Sequence, residues 1–367
     1  MKVALAIPYN PLEEIGGLEL GTLRHATALS KCGCEAEILT KGASSVKEGV
    51  AIRGFADLVE MCRWLLAKPN RYDVVHWLEI FPNQGEVEIQ AMCSCLLRSF
   101  GTKVVFMVAT SGNLKTRGSG PLATPLIQRS ADVYIVSNPE QLTEFADSGI
   151  RKNVRVIGFG VDTDQQFYPA GLNEKLGLRA FLGLPAEKVL CLFMGRFVER
   201  KRPDFLLRNW QAMERLHGSA ELVVVGSGMG QHDSIETQLV SLAASTPYTI
   251  FKDVTEYPEH YYRACDLLLL PSSREGQPNV LMEMMACGNP VVGSDIPGIR
   301  ELLHHGVTGL LFPADNPCAF REAVSLLVTD GSLRERLGRA ARSKITAEKG
   351  IESVTQTYLD LYRELGG

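Results

Sequence analysis

The stretch Arg274-Glu275-Gly276-Gln277-Pro278-Asn279-Val280-Leu281-Met282-Glu283-Met284-Met285-Ala286-Cys287-Gly288 decides how the chain is read. It carries two carboxylates, Glu275 and Glu283, with seven residues between them. Four leucines at 267–270 lead into it through Pro271-Ser272-Ser273, and Pro290-Val291-Val292-Gly293-Ser294 follows. The order is a buried strand, a Gly/Pro turn, a helix start and another strand. That layout aims backbone N–H groups at a phosphate. Pro278 suits the helix start because its missing N–H would be unsatisfied there anyway. Asn279, Val280 and Leu281 then offer N–H groups to a distal phosphate. Glu283 lies in an apolar helical run, where a carboxylate is costly unless partnered. The helix dipole offsets only about 0.3–1 kcal/mol of that cost, so ligand hydroxyls are the better partners. A phosphate joined to a polyhydroxyl group points to a nucleotide sugar.

Working outward, short apolar runs alternate with helical patterns. In the first half they lie at 3–8, 36–39, 74–77, 104–108, 133–137 and 154–157. In the second half they lie at 189–194, 222–225, 249–252, 267–270, 291–294 and 309–312. Val, Ile and Leu without strict alternation predict strands buried on both faces. Repeated βαβ units predict parallel sheets covered by helices. The pattern occurs twice, so the expected fold is α/β, two doubly wound Rossmann-like domains facing each other across a cleft. The boundary is expected near Gly160-Val161-Asp162-Thr163-Asp164 and Pro169, giving domains 1–165 and 166–349. A last helix, within 350–367, carries Val354, Tyr358, Leu361 and Tyr362 on one stripe and must dock somewhere.

Ligands of open parallel sheets bind beyond the carboxyl ends of the strands. In the second half those ends carry Gly195-Arg196 with Lys201 close behind, Gly226-Ser227-Gly228, Asp253-Val254, and the turn to Glu275. Arg196 and Lys201 supply two cations suited to a diphosphate. Alone, Glu199-Arg200-Lys201-Arg202 would pass for a solvated charge run; Gly195 and the two-carboxylate stretch reverse that reading. Gly226-x-Gly228 is a weak signal that a plain tight turn explains equally well. In the first half, Ile15-Gly16-Gly17 permits close backbone approach to a ligand. His76, ending Asp73-Val74-Val75-His76, reads as a buried, satisfied histidine. Asp162-Thr163-Asp164 has the look of a metal-binding DxD, but in a linker it reads as turn chemistry. No His/Cys/Asp cluster suggests a metal, so neither metal nor cofactor is expected.

Glu275 to Val292, with E-G-x-x-x-V-L-x-E-x-M-A-C-G-x-P-V-V, resembles the signature of retaining GT-B glycosyltransferases of family GT4 (glycosyltransferase group 1). Gly195-Arg196-x-x-x-x-Lys201 is similar to the same family's phosphate pair. The likeness runs from Gly16-Gly17 to Gly306-Val307-Thr308-Gly309-Leu310-Leu311-Phe312. It implies a GT-B fold whose last helix returns to the first domain. It also implies metal-independent transfer from a nucleotide sugar, a UDP-sugar, to a glycan, lipid-linked or small-molecule acceptor. By resemblance, Glu283 accepts from the ribose hydroxyls. Glu275, with the backbone of Gly276 and Gln277, holds hydroxyls of the transferred sugar. Gly226, Gly228 and Val254 frame base and ribose, while Gly17, with Gly16, lies between donor phosphate and acceptor. The catalytic set is then Arg196, Lys201 and Glu275. Two departures stand out. Arg202 follows Lys201 where the family usually has Gly. After the strand at 104–108, where many members have a His, this chain reads Ala109-Thr110-Ser111. Thr110 and Ser111 are taken as acceptor-side hydroxyls in its place, and 115–120 as a segment able to help hold an acceptor.

At 367 residues the chain suits two domains. A net charge of −4 gives no reason to expect nucleic acid, and no apolar run approaches a membrane span. Residues 1–8 read as a first strand in preference to a leader, since they break at Pro8. Nine cysteines without CxxC spacing read as reduced and structural, as expected in the cytoplasm. Trp64, Leu65, Leu66 and Lys68 offer an edge for peripheral membrane association, although they fit an ordinary helix face better. A GT-B nucleotide-sugar epimerase would need an acid/base pair over the sugar, and none is evident. A non-catalytic nucleotide-sugar or glycan-binding protein would not need Arg196, Lys201, Glu275 and Glu283 together. A dehydrogenase would need a GxGxxG after a first strand, which is absent.

Overall fold

The structure, a computed structural model, describes residues 1–11, 16–79, 85–108, 123–228 and 234–366. The chain forms two compact units, Met1–Gly160 with Ile351–Gly367, and Val161–Gly350.

The first unit is built on strands β1 (Lys2–Ala6), β2 (Glu35–Lys41), β3 (Ser45–Lys47), β4 (Val50–Phe55), β5 (Val74–Trp77), β6 (Lys103–Val108), β7 (Val133–Val136) and β8 (Val154–Val156). Their order is β3-β4-β2-β1-β5-β6-β7-β8. All neighbours are parallel except β3 and β4. β3 and β4 were not expected. They form a hairpin whose two-residue turn, Glu48-Gly49, has φ of 53° and 78°. Positive φ at both central residues is what a tight hairpin requires. β4 alternates buried and exposed residues over part of its length, which hid it among runs chosen for continuous apolarity.

The helix Ile351–Gly366 packs in the same core as β1, with Tyr358 and Tyr362 almost fully buried. His76 Nδ1 lies 2.7 Å from the Tyr362 hydroxyl, and the Tyr358 hydroxyl donates to Gly158 O at 3.3 Å. Burial lowers His25 to about 3. His76 is also lowered, first by burial and then by His25. Leu65 is core, and the guanidinium groups of Arg53 and Arg71 lie over the Trp64 ring at 4.7 and 3.6 Å from its centre. Neither residue is a free apolar anchor.

The second unit carries β9 (Val189–Met194), β10 (Ala220–Val225), β11 (Thr249–Lys252), β12 (Leu267–Leu270), β13 (Val291–Ser294) and β14 (Leu310–Phe312). They are all parallel, in the order β11-β10-β9-β12-β13-β14. Along β9, Leu190 and Leu192 feed one core while Cys191 and Phe193 feed another. Burial on both faces is why β9, β12 and β13 read as unbroken apolar runs. The order reverses between β9 and β12, the topological switch point where doubly wound sheets bind ligands. Pairing across that switch stops at Leu268↔Leu192, whereas β9 and β10 stay paired to Met194↔Val225. The two central strands therefore part at their carboxyl ends and open a crevice.

Candidate functional site

The crevice is walled by the loops after β9, β10 and β12. Beyond β9, Gly195 N donates to Val225 O at 3.0 Å, and Gly226 N donates to Lys252 O at 3.1 Å. The strand tips thus continue side by side. A Cβ on Gly226 would lie 2.0 Å from Gly195 O. Only glycine permits this backbone contact, so the turn is more specific than its sequence suggested. Gly228 serves its own loop: its N–H donates to Glu236 Oε2 at 3.0 Å, and a Cβ would strike Ser234 Oγ. That donor is already used inside the protein. Val254 lies half-buried past β11.

In sequence, Lys201 and Glu275 read as separate contributions, one to phosphate and one to sugar. The structure joins them: Lys201 Nζ donates to Glu275 Oε1 at 2.6 Å, and Arg200 approaches Oε2 at 3.6 Å. The Lys201 and Glu275 side chains are only 12% and 6% exposed. Burial raises the Glu275 carboxyl, but Lys201 and Arg200 outweigh it and hold it below the usual carboxylate range. Burial lowers the Lys201 ammonium; Glu275 opposes this, while Arg200 and Arg196 add to it. Arg196 is half-buried.

The turn that carries Glu275 is fixed from two sides. Ser273 N and Oγ both donate to Arg200 O, at 2.8 and 3.2 Å. Opposite, a Cβ on Gly298 would lie 2.4 Å from Glu275 O and 2.5 Å from Gly276 O. The carbonyls of the turn are thus packed against the short helix Pro297–Arg300. The sequence reading missed Gly298; its only signal was a Pro-Gly pair after β13. Gln277 Nε2 lies 3.2 Å from Met282 Sδ.

The helix Asn279–Ala286 opens directly after Pro278. One expectation fails here. Leu281 N donates to Pro278 O at 3.1 Å, so its N–H is not available to a phosphate. The bond tightens the first turn in 3₁₀ fashion. Glu283 is 4% exposed within a helix buried from Leu281 to Ala286.

Arg202, standing where glycine was expected, has φ 54°. It takes the left-handed backbone that glycine would supply. Its guanidinium donates to Ala314 O at 2.6 Å and lies 4.6 Å from the Phe205 ring centre. These contacts offset the steric cost of roughly 1–2 kcal/mol. Asp162 Oδ1 accepts from the backbone N–H of Asp164, Gln165 and Gln166, which accounts for the acidic turn. Among the described residues no group of three or more His, Cys, Asp or Glu is placed to hold a metal ion. Nor is any helix among them long and apolar enough to cross a membrane.

In the first unit, Gly16 precedes and Gly17 begins the helix Gly17–Lys31 that follows β1. Ile15, Thr110, Ser111 and 115–120 lie outside the described residues.

Residues 175–344 match the family of glycosyl transferases group 1. The chain is 26% identical to the D-inositol 3-phosphate glycosyltransferase of Xylanimonas cellulosilytica, over 98% of this chain and 95% of that one. Among solved structures, Anabaena HepE in complex with UDP and glucose superposes with a TM-score of 0.82 at 18% identity, covering 99% of this chain and 100% of that one. Sucrose-phosphate synthase from Thermosynechococcus elongatus gives 0.82 at 21% identity, over 100% and 99%. The fold is GT-B.

Proposed function

We propose, for a chain that is a group 1 glycosyltransferase of GT-B fold, that it moves a hexose from a UDP-sugar to an acceptor hydroxyl with retention and without a metal. The observation that carries this reading is the buried Lys201–Glu275 pair at the parted tips of β9 and β12, beside Arg196 and the start of the helix Asn279–Ala286. Arg196, Lys201 and the opening N–H groups of that helix receive the diphosphate. Glu283 accepts from the ribose. Glu275 and the turn Gly276-Gln277 hold the sugar, while Gly195 and Gly226 keep the backbone close to the phosphates. The first unit takes the acceptor, with Gly16, Gly17, Thr110 and Ser111 on that side.

Retention follows from what the carboxylates are engaged in. A nucleophilic carboxylate would have to attack the anomeric carbon from the face opposite the leaving group. Glu275 is paired with Lys201 at 2.6 Å before the donor arrives and is engaged by the sugar's hydroxyls once it is bound, and Glu283 is buried in its helix. Charge that develops on the departing diphosphate is stabilised by Arg196, Lys201 and the helix dipole. A phosphate oxygen on the same face then takes the acceptor's proton, and attack from that face keeps the α-linkage. UDP is supported by the HepE complex with UDP and glucose. The name of the Xylanimonas relative makes a phosphorylated cyclitol the first acceptor to try. Proton NMR of the new anomeric centre tests the reading: an α-linked product is expected from an α-linked donor, and a β-linked product overturns the mechanism.

A further inference from the structure

Arg200 has no part in the reading above. It lies in the short turn Glu199–Lys201, and its carbonyl is held by both Ser273 donors two positions before Glu275. The turn and the Glu275 loop are therefore tied together. The two oxygens of Glu275 then receive different cations. Lys201 makes a direct 2.6 Å bond to Oε1, while Arg200 stands 3.6 Å from Oε2. The first is a full hydrogen bond; the second is an ion pair beyond hydrogen-bond reach. Lys201 is 12% exposed and Arg200 37%, so Arg200 comes from the solvent side. The Ser272 hydroxyl also favours the ionised carboxylate, but a carboxylate accepts about four bonds, so room remains for a further donor under the guanidinium's field.

From these contacts we infer that Arg200 is a positioning residue: it holds the Glu275 carboxylate oriented toward a hydroxyl of the bound sugar. The identity of that sugar's carrier rests on the proposed donor, but the coupling of Arg200 to Glu275 does not. The charged groups acting on Glu275 are Lys201 and Arg200, and Arg196 acts in turn on Lys201. On the packed helix Pro297–Arg300, Arg300 is held by Asp295 at 2.5 Å.

The test uses the full chain. Carbon-13 NMR of glutamate side-chain carboxyls follows the titration of Glu275, assigned by the signal lost in Glu275→Gln. Arg200→Ala should raise the midpoint, because a cation that favours the carboxylate is gone, and Arg200→Lys should restore it. An unmoved midpoint in Arg200→Ala overturns the inference whatever the ligand. Calorimetric titration with UDP and with UDP-glucose gives the second readout. Arg200→Ala should weaken UDP-glucose about fivefold, the scale of a partly exposed ion pair, and leave UDP within about twofold. Arg200→Lys should recover UDP-glucose binding. Equal weakening of both ligands would make Arg200 a phosphate contact and overturn the positioning role. If the unmodified protein binds neither ligand, the UDP-sugar reading fails, and the carboxyl titration alone decides on Arg200.

Discussion

Replacing Glu275 with alanine should destabilise the free protein yet tighten, not weaken, its hold on a bare nucleoside diphosphate. The pair is short, 2.6 Å, and both side chains are nearly enclosed. At an effective dielectric of about 20, opposite unit charges at that separation attract by about 6 kcal/mol. Desolvation offsets most of this, so the intact pair adds little. Removing one partner is different, because the other charge stays buried without compensation, at a cost of about 3–5 kcal/mol. Lys201 can escape part of that by releasing its proton, since burial already lowers its pKa. The low end, about 3 kcal/mol, is therefore expected. In a unit spanning Val161–Gly350 each kcal/mol moves the melting temperature by about 2–4 °C, so the fall should be about 6–12 °C. Differential scanning calorimetry at neutral pH measures it, with Glu275→Gln as the control that removes charge without a cavity. UDP should restore more of the loss in the variant than it adds to the unmodified protein, because its diphosphate gives Lys201 an anion again. Melting within about 1 °C of the unmodified protein for both variants would refute the buried-pair reasoning. A fall that UDP leaves untouched would show that Lys201 does not meet the phosphate.

Four further outcomes are expected. Glu283→Ala should weaken UDP by about 1.5–3 kcal/mol in calorimetric titration, whereas Glu275→Ala should impair UDP-glucose but not UDP; equal loss of UDP affinity in both would end the ribose and sugar division. Gly226→Ala forces a Cβ to within 2.0 Å of Gly195 O, so denaturant unfolding should show a loss of about 1–3 kcal/mol and UDP binding should fall; normal stability with normal affinity would contradict the backbone contact. Transfer should persist in EDTA, and activity restored only by added Mg²⁺ or Mn²⁺ would refute the metal-independent phosphate site. Finally, unfolded His25 binds a proton near its ordinary 6.5, while folded His25 resists until about 3. Stability must therefore drop as pH falls through that window, by about 1.4 kcal/mol per unit for this group. His76 is shifted the same way, and Glu275, held low, adds its loss only below the usual carboxylate range. Denaturant unfolding between about pH 6.5 and 5 should decline less steeply in His25→Phe, and an unchanged slope would count against the buried neutral imidazole.

What the sequence made legible depended on how each residue is solvated. β9, β12 and β13 coincide with the expected runs at 189–194, 267–270 and 291–294, because strands buried on both faces advertise themselves as continuous apolar segments. β3 and β4 stayed hidden because an edge hairpin needs only alternate apolar residues and a turn with positive φ, which Glu48 supplies without looking like a turn former. The same limit governs the site. The motif identifies which charged residues gather at the crevice, but not how they pair. Lys201 and Glu275 are separated by 74 positions, and nothing in either local sequence favours their bond over two independent ligand contacts. Burial decides it. Two opposite charges nearly closed off from water must find each other when no ligand is bound, so the protein holds Lys201 and Glu275, the proposed phosphate cation and sugar carboxylate, against one another. A nucleotide sugar that brings both an anion and hydroxyls could satisfy both partners as it separates them. A bare diphosphate supplies only one of the two replacements, which is the physical reason Glu275 should matter more to the sugar-bearing donor than to the nucleotide alone.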